Sequence, residues 1–84
     1  MKLGKDLEMR QRILDILKEV NEDIIIYEGN DMLGDSVIDS FEIIEIISKL
    51  EEEFKIEIDA VNIVAANFKN KETIITMLEK LIAD

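Results

Sequence analysis

The chain has 84 residues, 48% of them hydrophobic, which is enough apolar content for one small folded domain with a modest core. It contains no cysteine and no histidine, which excludes a disulfide framework, a thiolate metal site and the usual general base near neutral pH. Twenty acidic residues against ten basic ones give a formal charge of −10; this disfavours nucleic acid and anionic membrane surfaces and favours a partner with a basic surface.

The opening MKLGKDLEMRQR has neither an apolar h-region nor a small-residue cleavage site. No later run approaches the roughly 20 apolar residues needed to span a bilayer, so the chain reads as cytoplasmic. Ile13, Leu14, Leu17 and Val20 mark one face of a first helix over Leu7–Val20. Asn21 stops it. From Asn21 to Asp39 the pattern predicts a long loop whose Ile residues, Met32 and Leu33 plug into the core. The run Ile24-Ile25-Ile26-Tyr27 has strand propensity, but no second strand is present to pair with it. A loop this long in a compact domain is often functional.

The strongest helical signal covers Ser40 to Lys55, where Ile43, Ile47, Leu50 and Phe54 form a stripe. Lys55 to Asp59 reads as an extended link and Ala60 to Ala66 as a short helix. Asn70 to Ile82 forms a last helix, with Ile74, Met77, Leu78 and Leu81 on one face. The fold class predicted is all-α: a single domain over residues 1–84, built as a three-to-four-helix bundle with a long loop between helices 1 and 2.

The segment GDSVIDSFEIIEI, residues 34–46, contains Asp-Ser twice. Asp39 suits the N-cap of the strong helix, and Glu42 three residues later completes a capping-box pair. Ser40 is then the first helical residue, where free N–H groups and the positive end of the dipole favour a phosphate. Ser36 is followed by Val37 and Ile38, poor residues for opening a helix, and reads as turn chemistry. Asp-Ser is also a common cap with no further role. At about 100° per residue Phe41 falls opposite the apolar stripe. It either packs under the preceding loop or stands exposed beside the serine as part of a docking surface. Ile44 lies at the edge of the stripe.

The block DSFEIIEIISKLEEEFKIEI, residues 39–58, resembles the signature of the acyl carrier proteins and the peptidyl or aminoacyl carrier proteins. The shared features are Asp-Ser before an apolar residue, a helix with Glu at the fifth residue after the serine, and a terminal Leu-Glu-Glu-Glu-Phe. The signature serine lies 14 residues before that Phe, and counting back from Phe54 gives Ser40 rather than Ser36. The likeness extends over most of the chain, through the first helix, the long loop, and Asn67-Phe68 before a Thr-Ile-Ile helix.

The resemblance implies a 4′-phosphopantetheine arm, taken from coenzyme A and attached covalently to Ser40. Its thiol would hold an acyl or aminoacyl group as a thioester. A chain without cysteine can do such chemistry only with a borrowed thiol. The resemblance also implies that Asp39 caps the helix and presents Ser40, and that Phe41, Glu42, Ile44, Glu45 and Glu52 dock partners. Those partners would be a phosphopantetheinyl transferase, an adenylating acyl or aminoacyl ligase and downstream acyl-accepting enzymes, in fatty acid or secondary metabolite biosynthesis, met by a monomeric carrier. Phe41 stands where carriers of fatty acid synthesis usually have Leu, and Val37-Ile38 precede Asp39. These departures look more like free-standing aminoacyl carriers, D-alanyl carriers included, or carriers of dedicated secondary pathways.

The other functional classes fit less well. An 84-residue bundle offers little cleft for carboxylates to act as acid and base, so no catalytic residue is expected. Asn30, Asp31 and Asp35 lack the spacing of a calcium loop, and no metal site is expected. The competing reading is an unmodified acidic helical adaptor that binds a basic partner.

Overall fold

The computed structural model describes the backbone of residues 2–83 and the side chains of residues 7–83. The described residues are all-helical, with no strand. The elements are α1 (Lys2–Val20), α2 (Asp23–Ile26), α3 (Ser40–Phe54), two 3₁₀ turns (Ala60–Asn62 and Ala65–Phe68) and α4 (Lys71–Ala83). This is the predicted small helical bundle with a long connection into α3.

Helix α1 buries Ile13 and Leu17 completely, one turn apart, and both α3 and α4 pack against it. α1 and α3 run antiparallel. Arg12 pairs with Glu53 at 2.6 Å, Glu19 with Lys49 at 2.9 Å, and Asn21 bonds Glu42 at 3.2 Å. Arg10 clamps Glu72 of α4 through two hydrogen bonds of 2.9 and 2.6 Å. That guanidinium holds the Glu72 carboxyl below its ordinary range, chiefly through the hydrogen bonds. These exposed pairs orient the helices more than they stabilise them.

Ile24–Ile26 is helical and Tyr27 is the extended C-cap, which settles the strand alternative. The Asn21 Oδ1 accepts the Asp23 N–H at 2.9 Å and the Asn21 carbonyl accepts the Ile24 N–H at 3.1 Å. The chain therefore turns before any strand can extend, and β propensity gives way to a local cap and to burial of Ile24. Ile26 is left on the outside.

In the loop after α2, Met32 is fully buried and its N–H reaches the Lys69 carbonyl at 3.1 Å. Ile38 is buried as expected, but Leu33 does not plug into the core and is exposed. Met32 and Ile38 flank a tight turn whose tip, residues 33–36, points outward. The Met32 carbonyl accepts from Val37 and Ile38, closing that turn. A Cβ at Gly34 would collide with the Asp31 carboxylate that holds the Gly34 N–H.

Tyr27, the only tyrosine, fastens the same loop. Its hydroxyl accepts the Asp31 N–H at 2.7 Å and donates to Asp35 Oδ2 at 2.6 Å. The bond to Asp35 is the main reason its pKa is raised above the ordinary 10.0. A raised phenol favours the fold while neutral: the contribution is present below pH 10 and lost as pH rises through the raised value. Ultraviolet titration of the phenolate should therefore give a midpoint above 10, and Asp35→Asn should bring it back down. An unchanged midpoint in that variant would exclude the bond.

On α3, Ile46 and Leu50 are the fully buried residues, with Ile43, Ile47 and Phe54 half-buried beside them. The stripe is thus centred one residue away from the Ile43–Ile47 line. The sequence places Ile at 43, 44, 46 and 47, so periodicity alone cannot choose among them. The packing of α1 makes the choice.

Helix α3 ends at Lys55, which adopts the left-handed region with φ 55°. The Glu51 carbonyl accepts from the Lys55 and Ile56 N–H groups, and the Glu51 carboxylate accepts the Ile58 N–H at 2.8 Å. One residue thus caps the helix and anchors the buried Ile58 beyond it. Lys55→Gly removes a steric cost of about 1 kcal/mol. Thermal unfolding should then rise by ~4–8 °C; a lower midpoint would show that the Lys55 side chain matters more than its backbone.

The expected helix over Ala60–Ala66 is two 3₁₀ turns instead, separated where Val64 is extended at φ −129°. Phe68 closes this segment inside the core. Asn70 caps α4 through the Thr73 N–H, and Thr73 Oγ1 accepts from Lys69 and Asn70 in return. α4 buries Ile74, Met77 and Leu78 as predicted, and Ile75 in addition; Leu81 is half-buried.

Candidate functional site

Asp39 leaves the loop extended, at φ −119°, and caps α3. Its Oδ1 accepts the Glu42 N–H at 2.9 Å, and Glu42 Oε1 accepts the Asp39 N–H at 3.2 Å. This is the capping box the sequence predicts. Ser40 is exposed as the first helical residue, and among the described residues its hydroxyl makes no hydrogen bond. A helix start leaves its first N–H groups unpaired. The box satisfies those of Asp39 and Glu42, while among the described residues those of Ser40 and Phe41 have no acceptor.

Phe41 is 81% exposed, which decides between packing and exposure. Ile44, three residues on and on the same face, is 61% exposed. It belongs to the surface and not to the edge of the core. Glu45 and Glu52 are exposed along this flank. Lys49 lies between them and donates to Glu19 of α1, a bond that raises the Lys49 pKa most. Among the described residues neither carboxylate accepts a hydrogen bond, and one nearby cation partly offsets their charge.

Glu42 is placed differently. Both of its oxygens are engaged within the protein, by the Asp39 N–H and by Asn21 Nδ2 at 3.2 Å. Its environment suits a structural brace rather than a docking carboxylate. Ser36 lies in a left-handed turn at φ 60°, its N–H bonded to the Leu33 carbonyl. It has neither a helix start nor a cap beside it.

The sequence pattern does not reveal one neighbour of the site. Asn21 reads there as a helix stop, yet its side chain reaches the start of α3.

A groove of about 590 Å³ lies at the other end of α3, between Met9, Arg12, Phe54 and Ile82. Some 20 Å of helix separate it from Ser40. Arg12 stacks over the Phe54 ring at 4.6 Å while bonded to Glu53. Among the described residues, no three His, Cys, Asp or Glu side chains converge as a metal site would require. Asp31 and Asp35 are instead bonded to the Gly34 N–H and the Tyr27 hydroxyl. No described helix is long and apolar enough to cross a membrane. Comparison with protein-family models, curated proteins and solved structures finds no match to this chain.

Proposed function

We propose that the protein is a carrier that holds an acyl or aminoacyl group as a thioester on a 4′-phosphopantetheine arm attached to Ser40. The observation that carries this reading is the setting of Ser40. It is an exposed hydroxyl at the first position of a capped helix, flanked by an exposed Phe41, and among the described residues neither it nor the N–H groups of Ser40 and Phe41 are hydrogen-bonded. A phosphodiester there is stabilised by the helix terminus by ~0.3–1 kcal/mol. The chain has no thiol of its own, so any thioester it holds must be on an acquired group.

Attachment is a phosphoryl transfer. The Ser40 Oγ attacks the pantetheine-bearing phosphorus of coenzyme A and forms an O–P bond. The pyrophosphate P–O bond breaks, and adenosine 3′,5′-bisphosphate leaves. The hydroxyl proton passes to a base on the transferase, since this chain has no histidine to take it. Asp39 is committed to the cap and orients the helix start. Phe41 and Ile44 supply apolar contact to the transferase, the loading ligase and the accepting enzymes. Glu45 and Glu52 steer their basic surfaces.

Intact mass should rise by one phosphopantetheine per chain after incubation with coenzyme A and a broad-specificity transferase, and peptide mapping should place it on Ser40. An unchanged mass sinks the carrier reading and leaves the acidic adaptor, whose partner binding Ser40→Ala would not alter.

A further inference from the structure

Asn21 lies 19 positions before Ser40 in the chain, yet its amide is joined to the helix that starts there. Nδ2 donates to the Val37 carbonyl at 2.9 Å and to Glu42 Oε2 at 3.2 Å, while Oδ1 accepts the Asp23 N–H. Glu42 in turn holds the Asp39 N–H through its other oxygen, and Asp39 holds the Glu42 N–H. Among the described residues, the hydrogen bonds joining the end of α1 to the start of α3 both come from this one amide. Other anchors of the loop, at Tyr27, Gly29, Asn30 and Met32, tie it to Lys71, Asn70 and Lys69, at the start of α4.

We propose that Asn21 is a positioning residue for Ser40. It acts through Glu42 and fixes the first turn of α3 in the orientation from which the hydroxyl attacks. The proposal rests on the carrier reading. A capping box alone closes a loop of four residues and lets that turn fray as a unit. The Asn21 amide ties the box and the incoming strand of loop to the rigid end of α1. Without it the Glu42 carboxylate can swing away from the Asp39 N–H, and the Val37 carbonyl, bonded to Nδ2 in a half-buried contact, loses its donor.

Asn21→Asp tests this. It keeps the size of the side chain and the acceptor for the Asp23 N–H, removes the donor, and sets a second carboxylate against Glu42. Turnover of Ser40 by the transferase should fall ~10- to 100-fold, because misplacement near 1 Å costs that much. KM should stay within about threefold, since Phe41 and Ile44 are untouched. Adding Glu42→Gln supplies a donor from the other side and should recover much of the lost kcat. Glu42→Gln alone offers one acceptor oxygen where two are needed and should give a milder loss, a second reading of the tie if Asn21→Asp does not fold. A lower unfolding temperature with unchanged kcat, or no recovery in the double variant, overturns the positioning role. If the unsubstituted chain gains no mass, the carrier reading itself fails, a result distinct from any ratio between variants.

Discussion

Ser40→Ala should take up no phosphopantetheine and yet fold as the parent does. The hydroxyl is exposed and bonded to nothing among the described residues, so its removal orphans no partner. Alanine at the first helical position is at least as good a helix former as serine. The Asp39–Glu42 box needs neither atom of the lost group. The stability change should therefore stay within about 0.5 kcal/mol, while loading, read by intact mass, falls to background. Ser36→Ala is the matched control and should load normally. Its side chain lies in a left-handed turn without a helix start. Uptake by Ser40→Ala, with the label mapped to Ser36, would move the attachment site and discard the account given for α3.

The second large effect separates the core of α3 from its surface. Ile44 and Ile46 are two residues apart, identical in type, and opposite in setting. Ile46 is fully buried, whereas Ile44 is 61% exposed. Ile46→Ala should cost about 2–5 kcal/mol, the transfer energy of the lost groups plus the cavity left behind. A domain of this size has about 4–13 kcal/mol in total, so the variant should lose a large share of its stability and roughly 10 °C or more in Tm. Ile44→Ala should unfold within about 0.5 kcal/mol of the parent and instead raise the transferase KM several-fold by removing apolar contact beside Ser40. Denaturant melts and loading kinetics on the same two variants check both halves. Equal destabilisation by the two would mean that Ile44 is covered, and the proposed docking face with it.

The same pair shows where the sequence stops informing. In SFEIIEIISKL, residues 40–50, Ile occurs on both sides of the expected stripe, and a 3.6-residue period fits more than one rotation of the helix. Only contact with α1 selects Ile46. The strand propensity of Ile24–Tyr27 is a similar case, because an isolated strand has no ladder to join and the Asn21 cap turns the chain first. The two 3₁₀ turns in place of one short helix reflect a stretch too short and too rich in β-branched residues to hold a helix by itself. Leu33 and Ile26, expected in the core with Met32 and Ile38, lie outside it because hydropathy cannot say which side of a turn faces inward.

What the sequence determined alone is local: the three main helices, the Asp39–Glu42 cap, the start of the last helix at Asn70, and Ser40 at a helix opening. Each depends on residues within one turn of each other, so spacing along the chain is enough to read them. What the tertiary structure decided is everything that needs a distant partner. This includes the rotation of α3 and the exposure of Phe41. It also includes the commitment of Glu42 to Asn21, 21 residues away. Hydrogen bonds and burial across such separations arise only once helices pack. Packing depends on shape and volume summed over the whole core, which no local pattern of residues specifies.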